Sequence, residues 1–65
     1  MDSKIKRYTL GEAISFVEVK MLDGISTLSE ELLYEEFQKY GNIDRNIHRA
    51  TLKKLVREMN EENGF

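Results

Sequence analysis

The sequence predicts a small, mostly α-helical domain built from three helices. Two observations favour this fold. Apolar residues recur at intervals of three and four along most of the chain, which is the periodicity of an amphipathic helix. Two of these stretches also follow a Thr-x-x-Glu capping box and end at a glycine, the usual start and stop signals of a helix. We therefore predict helices over residues 10–22, 28–40 and 43–60 of a single domain spanning 1–65.

The first helix is predicted to begin after Thr9, because Thr9 and Glu12 form the first capping box. Gly24 suits the left-handed position that follows a last turn. The alternative is a strand over residues 14–21, since residues 17–21 alternate between apolar and polar and the segment is rich in Ile, Phe and Val. Such a strand would pair with residues 4–10 and make the protein α+β with an N-terminal β-hairpin. The helix is preferred because the cap agrees with the apolar spacing at Leu10, Ala13 or Ile14, Val17 and Met21.

The residues before this helix form a short basic segment. Residues 1–9 carry a net charge of +2. In an extended chain Lys4 and Lys6 point to one side and Arg7 to the other. We expect an extended arm or a short strand here.

The second helix is predicted to begin after Thr27, where Thr27 and Glu30 form the second capping box, and to end at Gly41. Its carboxylates are expected to form a solvated face: Glu30, Glu31, Glu35 and Glu36. Its apolar stripe is predicted to comprise Leu28, Leu32, Leu33, Phe37 and Tyr40.

The third helix carries the main positive charge of the chain. Residues 43–60 have a net charge of +3, whereas residues 27–41 have −3 and the whole chain −2. One arc of the helix holds the apolar residues Leu52, Leu55, Val56 and Met59. The neighbouring arc holds Lys54, Asn46, Asn60 and a row of cations at four-residue spacing that we call the basic ridge: Arg45, Arg49, Lys53 and Arg57. Like charges at this spacing repel each other, so a bound polyanion would relieve the repulsion. The alternative interpretation is an ordinary solvated helix face.

Enzymatic activity is not expected. The chain has no Cys, and its single histidine, His48, falls near the apolar face of the third helix, where packing or hydrogen bonding is more usual than catalysis. The four glycines are at element boundaries and form no phosphate-binding loop. We therefore expect no cofactor, no metal site and no small-molecule substrate.

Chain length and hydropathy bear on the oligomeric state and the cellular location of the protein. A domain of 65 residues buries only about 60% of its unfolded surface, so a homodimer would help to stabilise it. No apolar run approaches the roughly 18 residues that a membrane span needs. The first residues are not followed by an apolar stretch, as a secretory signal would be. We expect a cytoplasmic protein without a membrane partner.

Two helices joined by Gly41-Asn42-Ile43, the second of them basic, resemble the helix-turn-helix and winged-helix regulators. The resemblance implies that DNA is the partner. It departs from the family pattern at Phe37, where a small residue is usual, and no residues remain for a wing. By this resemblance Arg45, Asn46 and Arg49 would meet base edges. The expected phosphate-contacting and assisting residues are Lys53, Lys54, Arg57, Lys4, Lys6 and Arg7.

Two alternatives remain open. Residues 4–40 also resemble a ribbon–helix–helix dimer, in which the N-terminal strand would enter the groove. A different function is a protein-interaction module, such as a small adaptor or inhibitor that docks on a larger protein through an acidic and apolar face. Burial of Phe16, Val19 and Leu22 within the monomer would weaken that function. The large apolar residues that would form such a face are Phe16, Val19, Met21, Leu22, Tyr34 and Phe65.

Overall fold

The structure is a computed structural model that describes residues 8–62. Its helices are α1, Leu10–Leu22, α2, Leu28–Tyr40, and α3, Arg49–Glu62, and these residues contain no strand. The predicted mostly α, three-helix fold is therefore confirmed, and the α+β alternative is wrong, because residues 14–21 lie inside α1. The predicted basic arm or strand lies outside the described residues apart from Tyr8 and Thr9, which precede α1 without regular structure.

The two predicted capping boxes define where α1 and α2 begin. The Thr9 hydroxyl accepts a hydrogen bond from the Glu12 amide at 3.2 Å, and the Glu12 carboxylate accepts one from the Thr9 amide at 2.7 Å. Thr27 and Glu30 repeat the arrangement at 3.2 and 2.9 Å. Each box satisfies two amides that have no partner inside the helix.

Left-handed glycines end both helices. Gly24 has a φ of 75° and donates its amide hydrogen to the Met21 carbonyl, while the Ile25 amide donates to the Lys20 carbonyl. This pair of bonds is a Schellman motif. Gly41 has a φ of 73° and donates to the Phe37 carbonyl at 2.7 Å. The predicted bounds of the first two helices are therefore confirmed.

The third helix begins at Arg49 and not at Ile43, so its predicted start is wrong. The Asp44 carboxylate accepts hydrogen bonds from the amides of Asn46 and Ile47, and its carbonyl accepts one from His48. These bonds close a single capped turn over residues 45–48, which is separate from α3. The connection between α2 and α3 thus spans residues 41–48 instead of the predicted three-residue turn.

The C-terminal end of α3 also differs from the prediction. The helix α3 continues to Glu62, two residues beyond the predicted end at residue 60. Phe65 lies outside the described residues.

The core lies along α1, which packs against both α2 and α3, whereas α2 and α3 approach each other at few points. The buried apolar residues are Ala13, Ile14, Val17, Leu33, Ile43, Leu55 and Met59. The predicted apolar stripe of α2 is wrong for Leu28, Leu32 and Tyr40, which are 71%, 51% and 68% exposed. Because α2 packs closely against one neighbour only, it buries a narrow face and leaves these side chains outside.

Candidate nucleic-acid interface

The basic ridge is an exposed row of cations that begins before α3 and continues along it. Arg45 lies on the capped turn, and Arg49, Lys53 and Arg57 follow on α3 at successive four-residue steps. All four side chains are exposed. Within residues 8–62 none of them forms an ion pair with a carboxylate. The ridge therefore presents four charges that no described residue neutralises.

Lys54 was predicted to contact phosphates with the ridge, but the structure gives it acidic neighbours. Its Nζ lies 3.4 Å from a Glu30 carboxylate oxygen and 3.9 Å from a Glu58 carboxylate oxygen. Its side chain is only partly exposed. Lys54 is thus already paired within the chain and lacks the free charge of the ridge residues.

The other predicted DNA-contacting residues are Asn46 and three cations of the N-terminal segment, and Asn60 was predicted to share the basic arc without a DNA-contacting role. Asn46 is exposed on the capped turn and donates its backbone amide to Asp44, so it precedes α3 and is not in its first turn. Asn60, which the periodicity placed in the basic arc, is buried and donates its side-chain amide to the Val56 carbonyl at 2.8 Å. Lys4, Lys6 and Arg7 lie outside the described residues.

A buried group of charges, the charge cluster, joins the three helices on another side of α3. It consists of Lys20 of α1, Glu30 of α2 and Glu58 of α3. The Lys20 ammonium donates hydrogen bonds to Glu30 and Glu58, both at 2.6 Å. The side chain of Glu30 is fully buried, and Lys20 also lies over the Phe16 ring, 5.7 Å from its centroid. The predicted solvated position of Glu30 is therefore wrong.

The contacts within the charge cluster keep Lys20 and Glu30 ionised in spite of their burial. Burial by itself raises the pKa of Glu30, but the hydrogen bonds from Lys20 and from the Thr27 amide outweigh it, and the net pKa is lowered. Burial likewise acts to lower the pKa of Lys20, but its hydrogen bonds to Glu30 and Glu58 outweigh this effect and the net pKa is raised. The charged forms are thus the stable ones in the folded protein.

A second polar contact fixes the connection between α2 and α3. The His48 side chain is buried, and its Nε2 lies 2.9 Å from Glu36 Oε1. The other Glu36 oxygen accepts a hydrogen bond from the Asp44 amide at 2.7 Å. The hydrogen bond from His48 is the main reason that the pKa of Glu36 is lowered, and the Asp44 amide adds to it. The expectation of a packed, hydrogen-bonded His48 is confirmed, whereas Glu36 is only half exposed and not the freely solvated residue predicted.

The charge cluster was missed by the sequence analysis, although its signal was present. Lys20 follows Val17 by three residues and Ala13 by seven, which places it on the buried face of α1. Glu30 precedes Leu33 by three residues in the same way. A charged residue in phase with core residues is the signal of a buried ion pair. It was overlooked because charged side chains were assigned to solvent by type.

Two apolar surfaces remain exposed. We call Val19, Leu22 and Ile25 the α1 apolar surface, with exposures of 53%, 82% and 63%. The α2 apolar surface consists of Leu28, Leu32, Tyr40 and, on the capped turn, Ile47, which is 72% exposed. Phe16 and Tyr34 are half-buried, and Met21 is 38% exposed. Burial of Val19 and Leu22 within the monomer would have weakened a protein-docking role, but both side chains are exposed.

Residues 8–62 contain neither a metal-binding cluster nor a membrane-spanning helix. No group of three or more His, Cys, Asp or Glu side chains there is placed to hold a metal ion. In the same part of the chain no helix is long and apolar enough to cross a membrane.

Comparison with known proteins places the chain in a family. Residues 10–60, which run from the start of α1 almost to the end of α3, match the model of the YonP prophage protein family. The chain is also 33% identical over 55 residues to the SPbeta prophage-derived uncharacterized protein YonP of Bacillus subtilis (strain 168), covering 85% of this chain and 83% of that protein. No solved structure matches the chain. On the match to the family model and on this relative, the chain belongs to the YonP prophage protein family.

Proposed function

We propose that the protein binds duplex DNA through the basic ridge of the capped turn and α3. The observation that carries the proposal is the exposure of four unpaired cations at regular spacing in a chain whose net charge is −2. The other described cations on or beside α3, such as Lys54, are held by carboxylates. Among residues 8–62 the exposed cations without a carboxylate partner are the four of the ridge and Lys39 of α2. Most of this free positive charge therefore lies on one line, which is the electrostatic footprint expected of a nucleic-acid-binding protein.

Phosphate contacts are the role we assign to the ridge. From Arg49 to Arg57 the row climbs about 12 Å of helix, at about 1.5 Å per residue. Long basic side chains on one line suit the sugar-phosphate backbone, and such contacts position a protein without reading sequence. Arg45 and Asn46 lie on a turn before the helix, so the base contacts expected from the helix-turn-helix resemblance are not part of this proposal.

The test is fluorescence anisotropy of a labelled random duplex, titrated with the protein at several salt concentrations. Each neutralised phosphate contributes a slope of about 0.9 in the fall of log K with log salt, so four contacts give a slope of roughly 3 to 4. The double variant Arg49→Glu/Lys53→Glu should abolish binding at low salt and retain the helical circular dichroism of the parent. Binding by this variant as tight as by the parent would exclude the ridge as the interface.

A matched pair of variants separates local contact from net charge. Lys53→Gln and Ser15→Glu each lower the net charge by one, but Ser15 is an exposed residue of α1. We expect Lys53→Gln to weaken binding and reduce the salt slope by about 1, and Ser15→Glu to leave the slope unchanged. Equal losses in the two variants would show that only overall charge matters.

The α1 apolar surface favours a second candidate function, an adaptor or inhibitor that docks on a larger protein. Asp23, Glu61 and Glu62 line the same groove as Val19 and Ile25, so this face combines apolar and acidic groups. A partner would need an apolar surface with basic residues around it. Affinity purification from a Bacillus subtilis lysate should recover such a partner with the parent protein and with Arg49→Glu/Lys53→Glu. Val19→Ser/Leu22→Ser should lose it, and an unchanged recovery would exclude this surface.

A further inference from the structure

We propose that the α2 apolar surface binds a second copy of the chain, forming a two-fold dimer in which the two α2 helices pack antiparallel. This inference goes beyond DNA binding and does not depend on it. It starts from the four side chains of that surface, each at least half exposed, in a domain too small to leave much apolar area unused.

The helix spacing makes this surface continuous. Leu28, Leu32, Glu35 and Lys39 follow one another at intervals of four, three and four residues, which keeps them on one face of α2. Tyr40 and Ile47 lie at the C-terminal end of that face. There they line a groove of about 410 Å³ together with Leu32 and Lys39, between α2 and the capped turn. The face thus has leucines at one end and a groove at the other.

Such a face is complementary to its own copy. A two-fold interface pairs residue i with residue j of the second copy and j with i. In an antiparallel pair with its axis near residue 36, Leu32 meets Tyr40 of the second copy. In the same register Glu35 and Lys39 of the second copy lie about 3 Å apart along the helices, at about 1.5 Å per residue, and the symmetry gives that charge pair twice. Leu32 enters the groove of the second copy and the opposite charges meet, without any change in the backbone.

The charges around the α1 apolar surface make it unsuitable for binding a second copy of the chain. The groove beside the α1 apolar surface has a net charge of −2, because it is lined by four carboxylates and two lysines: Asp23, Glu58, Glu61 and Glu62 with Lys20 and Lys54. Two copies brought together there would place like charges against each other, which is unfavourable. The groove on α2 is lined by Glu35, Glu36 and Lys39. Glu36 is already bonded to His48 and Asp44, so Glu35 and Lys39 are left to pair with their opposites across the two-fold axis.

Sedimentation equilibrium over protein concentrations from micromolar to millimolar tests the proposal. The parent should show a concentration-dependent monomer–dimer equilibrium. Leu32→Glu should weaken dimerisation by about 100-fold or more, because the symmetry introduces two buried, unpaired carboxylates. Leu22→Glu is the matched control on the α1 apolar surface and should leave the dissociation constant within about twofold. A parent that remains monomeric at every concentration, or equal effects of the two variants, would overturn the proposal.

A charge swap tests the register itself. Glu35→Lys and Lys39→Glu should each weaken the dimer by about tenfold, because each places like charges in contact at both symmetric positions. The double variant Glu35→Lys/Lys39→Glu should restore dimerisation to within about threefold of the parent. Single reversals without effect, or a double variant no better than either single one, would rule out this antiparallel register. Circular dichroism of each variant checks that the monomer is folded.

Discussion

At the scale of single residues, the charge cluster shows how much a buried charge depends on its partners. Lys20 and Glu30 are both almost inaccessible to water, and each holds the other ionised. A buried charge without a partner is strongly destabilising, whereas removing both charges together is often close to neutral. Lys20 and Glu30 therefore act as one unit. The loss of stability on substitution depends on whether the remaining residue is left as a buried charge without its partner.

We expect Lys20→Met to lower the free energy of unfolding by about 3 kcal/mol, because it leaves Glu30 buried with only the more distant Lys54 as a cation. Lys20→Met/Glu30→Gln should recover most of this loss. Gln removes the charge and can still accept the hydrogen bond from the Thr27 amide that completes the capping box. Urea unfolding of the two single variants and the double variant gives the coupling. Purely additive effects would show that the two residues act independently.

Lys20 and Glu30 also show why burial could not be predicted from residue type. The positions of Ala13 and Val17 in the core followed from periodicity alone. Lys20 and Glu30 continue that periodicity, but their charge suggested solvent. Their burial depends on a partner from another helix, and no pattern within one helix can show that partner.

At the scale of elements, the capped turn decides where the basic ridge begins. The charge and apolar pattern of residues 43–60 is that of one helix, whereas residues 45–48 form a separate capped turn and α3 begins at Arg49. The pattern could not show that Asp44 caps this turn while Glu36 binds both Asp44 and His48 from α2. These tertiary bonds hold the turn apart from α3.

Replacement of Asp44 should therefore affect the connection and not the helices. Asp44→Ala removes the acceptor for the amides of Asn46 and Ile47, and we expect a loss of about 1 kcal/mol in the free energy of unfolding. Asn is an equally good capping residue, so Asp44→Asn should stay within about 0.5 kcal/mol of the parent. Thermal and urea unfolding measure both. An equal loss in the two variants would point to the charge of Asp44 instead of its capping bonds.

At the scale of the whole molecule, folding is coupled to pH through two hydrogen-bonded carboxylates and one buried lysine. The pKa of Glu30 and that of Glu36 are lowered in the folded protein, so both groups stabilise the fold above the ordinary glutamate value of 4.5. That stabilisation is lost as pH falls through the folded pKa values. The raised pKa of Lys20 acts at the opposite end: its contribution is complete below the ordinary value of 10.5 and is lost as pH rises through the folded value.

We expect the free energy of unfolding to fall as the pH is lowered from about 6 to about 3, and to fall less steeply in Glu30→Gln, which has no carboxylate to protonate there. Urea unfolding at a series of pH values gives both curves. The variant should be less stable than the parent near neutral pH, with the two curves converging in acid. Parallel curves would show that Glu30 titrates alike in the folded and unfolded chain.

The overall arrangement was predictable in part. The presence of three helices, and both ends of α1 and α2, followed from capping boxes, glycines and apolar spacing, which are local signals. The exposure of Leu28, Leu32 and Tyr40 was not predictable, because it depends on α2 having one close neighbour. The basic ridge was found because its members share one row, and Lys54 was misplaced because its acidic neighbours come from the fold.

The charge cluster also restricts how the three helices can be aligned with one another. Each helix contributes one member, so the cluster is complete only when all three are correctly aligned. A shift of any helix by one residue would turn its member by about 100°, away from the other two, and break at least one of the two hydrogen bonds of Lys20. Apolar side chains in so small a core would tolerate several near-equivalent packings. The charge cluster therefore raises the free energy of misaligned packings and favours a single alignment of the three helices.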